Sequence, residues 1–355
     1  MKLTRFFYMI LIVMLVVLLS VTTLTTFAQK SYPDFNELEK QGKELVLMFG
    51  SGAKPQETAY AYHATCNMLF DRAEGVRSTM GVVSGSVGGS LEILRGGPVD
   101  ITGGLSLSVL YQMYNGLDQW KDAAIPNDLR VLAYYITGVA PLVVRADSGV
   151  YKASDLIGKE YCFGYPGSSS AAIFEAIFNA LDYNVKFYPG GFDDAIQDIK
   201  DNKLIGYSET AQEHRLTTSW QEIMYSIPAR VISFTDEEVE IVREKAPSVT
   251  FRKLPSDYYT EPGHDYPVNT MIFPMVWVCH KDLPEEAVYR MVKSYVEGWG
   301  KELKEAFPEI ANDDPIDTPL LVSALEGVYV HPGALRYFEE IGREIPDSVI
   351  PPEMK

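Results

Sequence analysis

The feature that most constrains the fold is a repeated order of apolar strand, glycine- and serine-rich loop, and helix. The predicted elements are a strand at 44–49, a loop at 50–52, a helix at about 58–73, a strand at 78–83, a loop at 84–86, a short helix through Leu91, Leu94 and Arg95, and a strand at 99–102. This order is typical of a parallel βαβ sheet.

A second unit repeats the order. Its predicted elements are a strand at 160–163, a loop at 164–170, a helix at 171–181, a strand at 185–188, a helix at 193–200 and a strand at 204–207. Apolar runs at 129–136, 141–145 and 271–279 predict further strands, and those at 141–145 and 271–279 join the units. We therefore predict an α/β chain of two lobes with a cleft in which hinge closure buries a small ligand.

Near the C terminus, Asp282 and Glu285 precede an apolar run with helical spacing. A residue that can cap a helix, followed three positions later by Glu, is the pattern of a capping box. We therefore predict that Asp282 caps a helix that runs through Trp299, and that a further helix lies around 333–341.

The first residues are typical of an export signal. Lys2 and Arg5 precede an apolar run at 6–19, and a small residue, Ala28, stands before Gln29. This order predicts a signal peptide over 1–28, with an uncleaved membrane anchor as the alternative. The mature protein is then expected in the periplasm or another extracytoplasmic compartment.

The charge excludes several classes of partner. The 355 residues carry 48 acidic and 31 basic side chains, a formal charge of −17. Without Lys2 and Arg5 the balance is 29 minus 48, or −19. Because nucleic acid and anionic lipid surfaces attract basic faces, we expect neither as a partner, and we expect a monomer.

Three cysteines, Cys66, Cys162 and Cys279, are too few for a disulfide framework and too scattered for a zinc site. We expect three buried structural thiols, although a disulfide between two of them stays open in an oxidising compartment. The five histidines are dispersed, without an i, i+4 pair, so we predict no metal and no cofactor.

Three of the loops precede predicted helices at the carboxyl ends of strands, where parallel sheets bind their ligands. They are Gly50-Ser51-Gly52-Ala53, Ser84-Gly85-Ser86-Val87 and Pro166-Gly167-Ser168-Ser169-Ser170. Free backbone N–H groups, serine hydroxyls and the positive ends of helix dipoles can hold a carboxylate there. The alternative is that these loops are ordinary helix starts.

Motifs of catalysis and phosphate binding are absent from the sequence. Pro55 stands where G-x-G-x-x-G needs its third glycine, and no GKS or GKT occurs. The nucleophile motif G-x-S-x-G is also missed at Gly167-Ser168-Ser169-Ser170-Ala171. We therefore expect no enzymatic activity.

Several segments together resemble the TAXI family, the solute receptors of tripartite ATP-independent periplasmic (TRAP) transporters. The stretch from Ser84 to Ile101 is similar to the family's GGSVENLRLLxSGEADLG. Further matches are YQMYNG at 111–116, PLVVRADSG at 141–149 with DLIGK at 155–159, KDLPEE at 281–286 and HPGALRYF at 331–338. The resemblance covers about 45–342.

The resemblance implies a two-lobed periplasmic-binding-protein-like fold of the second topological type. It also implies a glutamate-like or related small carboxylate ligand, delivered to TRAP membrane permease subunits. Its lobe boundaries here would be 29–139 plus 281–355 for lobe 1 and 140–280, with both hinge strands, for lobe 2. A ligand-binding sensor for a signalling partner is the alternative function.

The chain departs from the family at the ligand loops. The usual GTGxxGGxYYP is replaced from Gly50 onward by a sequence with Pro55, Gln56 and Glu57, and Tyr60 or Tyr62 stands near the family's paired tyrosines. The usual PGSGTR lacks its arginine here, and Glu209 follows the next strand. A carboxylate there favours an amino acid, whose ammonium group it can pair with, over a plain dicarboxylate.

The predicted ligand-binding residues are Gly52, Ala53, Tyr60, Ser84, Ser86, Val87, Ser106, Gly167, Ser168, Ser169, Ser170, Glu209 and Thr210. The expected ligand is an amino acid or another small carboxylate.

Overall fold

Three sheets among the described residues, and the helices packed on them, make up the structure, a computed structural model. It describes residues 27, 30–55, 58–123, 125–211, 215–262, 264–307 and 314–355. The predicted signal peptide, apart from Phe27, lies outside the described residues, as do Gln56, Glu57 and His214.

The strands follow the predicted order. They are β1 (Leu45–Ser51), β2 (Val76–Val82), β3 (Ile101–Ser106), β4 (Leu129–Ala140), β5 (Leu142–Arg145), β6 (Glu160–Tyr161), β7 (Lys186–Phe187), β8 (Gly206–Tyr207), β9 (Ala229–Ile232), β10 (Thr250–Leu254) and β11 (Val268–His280). The sequence patterns missed β9 and β10.

The helices lie between them. They are α1 (Phe35–Lys40), α2 (Thr58–Asp71), α3 (Gly85–Leu94), α4 (Leu107–Asn115), α5 (Ser169–Leu181), α6 (Phe192–Lys200), α7 (Thr218–Met224), α8 (Asp236–Lys245), α9 (Glu285–Gly298), α10 (Thr318–Ser323) and α11 (Pro332–Glu340). Helix α9 continues through a π-helical turn at Trp299–Leu303 into a last turn at Lys304–Ala306.

The first sheet has the order β10-β11-β3-β1-β2, with β4 also paired to β11. Strand β1 is parallel to β2 and to β3, which confirms the predicted βαβ order of the first unit. Strand β11 runs antiparallel to β3, β4 and β10. The carboxyl ends of β1 and β3 therefore lie at the same edge of this sheet.

The second lobe contains a three-stranded sheet with the order β8-β5-β9 and a two-stranded sheet of β6 and β7. Strand β6 is parallel to β7, and a parallel bridge joins Cys162 to Tyr207 at the end of β8. Strand β5, however, runs antiparallel to both β8 and β9. The strand predicted at 141–145 thus takes the direction opposite to the others of its unit.

Two adjacent strands lead from one sheet to the other. Strand β4 passes through Pro141 into β5, and its residues from Leu129 to Gly138 pair with β11. The described residues thus form two α/β lobes joined by these strands, as predicted. The predicted lobe boundaries at 139/140 and 280/281 stay a prediction.

Trp277 on β11 is the centre of the core of lobe 1. Its ring lies 4.4 Å from that of Tyr135 and 5.1 Å from that of Phe49, centroid to centroid. Large buried aromatic side chains contribute strongly to the hydrophobic free energy of folding. This packing fixes β1, β4 and β11 relative to one another.

The start of α9 differs from the prediction. The residue before the helix is Pro284, and no side chain caps it. The backbone N–H of Asp282 donates to Nδ1 of His280 at 3.2 Å, so this part of the chain turns before the helix begins. The prediction that Asp282 caps this helix is therefore wrong, because the turn leaves Asp282 two residues before Pro284.

All three cysteines are buried and free, as predicted. Burial raises the pKa of the Cys162 thiol to about 11 and raises those of Cys66 and Cys279 further above their ordinary value. A thiol that resists ionisation in this way is a poor nucleophile.

No helix within the described residues is long and apolar enough to span a membrane.

Candidate functional site

The amino termini of three helices meet where the lobes touch. Helices α3 and α4 begin at Gly85 and Leu107 in the first lobe, and α5 begins at Ser169 in the second. All three follow the carboxyl ends of strands or the loops after them. Each terminus has backbone N–H groups without partners inside the helix and a partial positive charge, so the three together favour anionic oxygen.

Ser169 is the residue at which the three termini converge. Its Oγ lies 3.1 Å from Oγ of Ser86, accepts the backbone N–H of Ser106 at 3.0 Å and contacts the carbonyl oxygen of Gly104 at 3.3 Å. The exposed fractions are 8% for Ser86, 0% for Ser106 and 3% for Ser169. The cluster is thus shielded from water. In such low-dielectric surroundings each hydrogen bond is electrostatically stronger than it would be in water.

Glycines allow the backbones to approach at this point. A Cβ on Gly85, whose φ is +72°, would lie 2.6 Å from the carbonyl oxygen of Gly167, and one on Gly52 would lie 2.8 Å from the backbone nitrogen of Ser86. The predicted loops around Gly52, Ser84 and Gly167 therefore come together in one place. Ala53 and Val87 are buried beside them.

Some of the predicted serines serve as helix caps. Oγ of Ser168 accepts the N–H of Ala171 at 3.3 Å and caps α5, and Oγ of Ser106 accepts the N–H of Ser108 at 3.2 Å and caps α4. Ser170 donates to the carbonyl oxygen of Phe163 at 2.9 Å within its own lobe. Ser84 precedes α3 and is exposed, without a side-chain cap bond.

Glu209 follows β8 and is held by a chain of hydroxyl groups. Oγ of Ser219 donates to Oε2 of Glu209 at 3.0 Å, and Oη of Tyr207 donates to Oγ of Ser219 at 2.8 Å. The Tyr207 ring is stacked on Trp220 at 4.7 Å between centroids. Glu209 is half-buried, so a carboxylate of fixed orientation stands at the carboxyl end of β8.

Two predicted residues are not brought into the serine cluster. Tyr60 is half-buried on α2, and Thr210 is exposed after Glu209. Among the residues that the structure describes, neither makes a hydrogen bond to Ser86, Ser106 or Ser169.

Ser51 and His63 support the first loop from behind, and the sequence patterns missed both. Oγ of Ser51 lies 2.8 Å from Nδ1 of His63 and donates to the carbonyl oxygen of Ala53 at 3.0 Å. Burial lowers the pKa of His63 to about 3, so its ring is neutral at physiological pH. The pair fixes the turn at Ala53, and nothing in the local sequence pattern marks it.

Lys54 joins the lobes at the rim. Its Nζ lies 3.8 Å from Oδ2 of Asp193 and 4.5 Å from the ring centre of Tyr165, both in the second lobe. The side chains of Lys54 and Asp193 are 45% and 62% exposed, so this ion pair is worth little free energy. Lys54 could be seen in the sequence as part of the first loop, but its partners could not.

The residues at this site supply hydrogen-bond donors rather than a set of metal-binding or reactive groups. The described residues include no group of three or more His, Cys, Asp or Glu placed to hold a metal ion. The serine cluster has the donors for an anionic oxygen, and Glu209, held separately by Ser219 in the second lobe, is an acceptor that suits a cation.

Comparison with known proteins gives a family and a fold. The NMT1-like family matches residues 58–342. MatC from Rhodopseudomonas palustris with bound malate is similar in structure, with 11% sequence identity over 83% of this chain and 97% of that one and a TM-score of 0.51. The periplasmic binding protein BugD shares 12% identity over 85% of this chain and 99% of its own, with a TM-score of 0.50. At these identities the two likenesses establish the fold, in agreement with the prediction.

Proposed function

The chain belongs to the NMT1-like family, and on that premise we propose that it is an extracytoplasmic solute receptor that binds a small ligand between its lobes. The observation that carries the proposal is the meeting of three helix amino termini, two from one lobe and one from the other, at Ser169. A ligand held there contacts both lobes, so its binding is coupled to their closure.

The ligand that this site suits best is an amino acid. Its carboxylate matches the N–H and hydroxyl donors around Ser86 and Ser106, and its ammonium group matches Glu209. Malate is the ligand bound to MatC, and a plain carboxylate of that kind is the competing possibility here. It would satisfy the donors but place a negative charge near Glu209.

The burial of the Ser51–His63 pair favours a protein that binds its ligand without catalysis. The Ser51–His63 pair has the composition of a nucleophile and a base, but Ser51 is 0% exposed and His63 4% exposed. Ser51 also donates to Ala53, so its proton is already engaged. We therefore propose a receptor rather than an enzyme.

The resemblance of the sequence to TAXI receptors supports a TRAP permease as the membrane partner and a monomeric receptor. In this role the closed, ligand-bound form docks on the permease and releases the ligand to it. Co-purification of the detergent-solubilised TRAP permease subunits on the immobilised receptor, stronger with ligand than without, is the expected result. Equal retention with and without ligand would contradict this role.

Ligand identity is tested on protein freed of bound compounds by unfolding and refolding. Native mass spectrometry before that step identifies any retained ligand, and calorimetry after it compares amino acids with mono- and dicarboxylates. We expect an amino acid to bind and dicarboxylates to bind at least tenfold more weakly. Dicarboxylates that bind while amino acids do not would overturn the proposed ligand class.

Glu209 is tested by its isosteric amide. Because Glu209→Gln removes the charge that pairs with an ammonium group, we expect amino-acid affinity to fall at least tenfold, about 1.4 kcal/mol. Glu222→Gln, at an exposed position on α7, is the matched control and should leave affinity unchanged. Equal affinities of all three proteins would show that Glu209 does not contact the ligand.

A further inference from the structure

Three consecutive serines at the start of α5 have different partners. Ser168 and Ser170 bond within their own lobe, to Ala171 and Phe163. Within the part of the chain that the structure describes, the hydroxyl of Ser169 bonds to groups of the first lobe. Its hydroxyl therefore contributes to holding the lobes together rather than to the stability of its own helix.

The hydrogen bonds of Ser169 form a complete set. A hydroxyl has one proton to donate and two lone pairs to accept with. Ser169 donates its proton to the carbonyl oxygen of Gly104 and accepts the N–H of Ser106. Because that proton is engaged, the second lone pair of Ser169 is left to accept from the hydroxyl of Ser86, whose Oγ lies 3.1 Å away. The two donors lie at the starts of α4 and α3, so they point at one oxygen from two positive helix ends.

We propose that Ser169 is an internal latch whose hydroxyl oxygen occupies the place of a ligand carboxylate oxygen. The latch contributes to lobe closure in the absence of ligand, and a ligand must displace it to reach the donors of Ser86 and Ser106. This inference rests on the proposed receptor function, and it adds that the receptor opposes the entry of its own ligand. Weak ligands that make no better bonds than a serine hydroxyl are thereby rejected.

The backbone around the latch supports this role. The carbonyl oxygen of Gly167 approaches Gly85 so closely that a Cβ on Gly85 would lie 2.6 Å from it. At this point the second lobe approaches the first through backbone and the Ser169 hydroxyl, while Lys54 with Asp193 and Ser108 with Ser248 make further contacts between the lobes. Removal of the Ser169 hydroxyl leaves both helices and their caps unchanged, since Ser168 caps α5 and Ser106 caps α4.

The test measures the separation of the lobes directly. Spin labels are placed on Lys186→Cys in the second lobe and Lys301→Cys in the first, both exposed positions, while the native cysteines are buried. Distances between the labels are recorded on refolded protein freed of ligand. We expect Ser169→Ala to shift the distribution to longer distances, Ser86→Ala to shift it less, and Ser226→Ala, at an exposed position of the second lobe, to leave it as in the parent.

Kinetics give the second measurement. Since ligand enters only open molecules, loss of about one net hydrogen bond from the closed form should raise the association rate about fivefold in Ser169→Ala. An unchanged distance distribution in Ser169→Ala, with a parent-like melting temperature, would overturn the latch. If no tested compound binds any variant, the proposed function fails, while the distances still decide on the latch. If Ser169→Ala does not fold, the Ser86→Ala distances decide.

Discussion

Arg130 is a buried charged residue that is paired with a carboxylate and with backbone carbonyl oxygens. Its guanidinium is 2% exposed, and its Nε and Nη2 each donate to a carboxylate oxygen of Glu353 at 2.7 Å. The remaining Nη1 donates to the carbonyl oxygens of Asn127 and Leu129. Glu353 and the residues around it are thereby attached to strand β4.

Removal of this partner is expected to destabilise the fold. Glu353→Ala leaves a buried guanidinium without its carboxylate, and we expect a loss of about 2 kcal/mol in the free energy of unfolding. The control is Glu37→Ala, whose pair with Lys40 is exposed and should cost less than about 0.5 kcal/mol. Urea unfolding at pH 7 measures both, and equal losses would contradict the role given to Glu353.

The same pair carries a pH dependence. Burial disfavours the charged form of Glu353, but the hydrogen bond from Arg130 and its positive charge hold the pKa of the carboxyl below its ordinary value. Its contribution is therefore present above the ordinary pKa and is lost as pH falls through the lowered one. The stability difference between the parent and Glu353→Ala should shrink below about pH 4, as followed by urea unfolding.

Among the elements, β3 and β11 pack more closely than a side chain would allow. A Cβ on Gly103 would lie 1.3 Å from Cζ3 of Trp277, so the indole ring occupies the space where any other residue would place its side chain. The sequence pattern predicts a strand that ends at Thr102, whereas β3 continues through Gly103 and Gly104 to Ser106. The glycine serves packing in the strand interior, not a turn.

Gly103→Ala should therefore be strongly destabilising. Because Trp277 is held by the rings of Phe49 and Tyr135, we expect overpacking to cost about 3 kcal/mol. Gly300→Ala is the matched control, since nothing lies within 4 Å of a Cβ there, and it should be neutral or slightly stabilising. Thermal unfolding of both variants checks this, and a stable Gly103→Ala protein would show that Trp277 can move.

At the scale of the whole molecule, acidic side chains oppose each other where α5 packs on the turn after α4. Burial, and then the charge of Asp118, raise the pKa of Glu175, and burial raises that of Asp118. An acid with a raised pKa binds more protons in the folded than in the unfolded state. Stability from this contact is present at low pH and is lost as pH rises through the raised pKa.

Glu175→Gln tests this contact. We expect the variant to be more stable than the parent at pH 7, by about 0.5–1 kcal/mol, and to lose that advantage near pH 4, where the parent is protonated. Glu160→Gln, at an exposed position, should show no such crossing. Urea unfolding at the two pH values provides the measurement, and an advantage of Glu175→Gln that persists at pH 4 would contradict the explanation.

The sequence by itself determined the local structure of this protein. The period of hydrophobic residues and the places of glycine and serine locate strands and helix starts to within a few residues. The βαβ unit around β1, β2 and β3 and the helices α2 and α5 could be predicted for this reason. It placed loops around Gly52, Ser84 and Gly167 at the carboxyl ends of strands for the same reason. These signals depend on neighbours along the chain.

Only the tertiary structure decided which groups meet. Ser169 lies 83 positions from Ser86 and 63 from Ser106, yet their atoms are 3.1 and 3.0 Å apart. No local pattern records such a distance, because it results from the packing of two lobes across hinge strands. The antiparallel direction of β5 and the hydroxyl chain behind Glu209 are decided in the same way, by contacts that form only when the whole chain has folded.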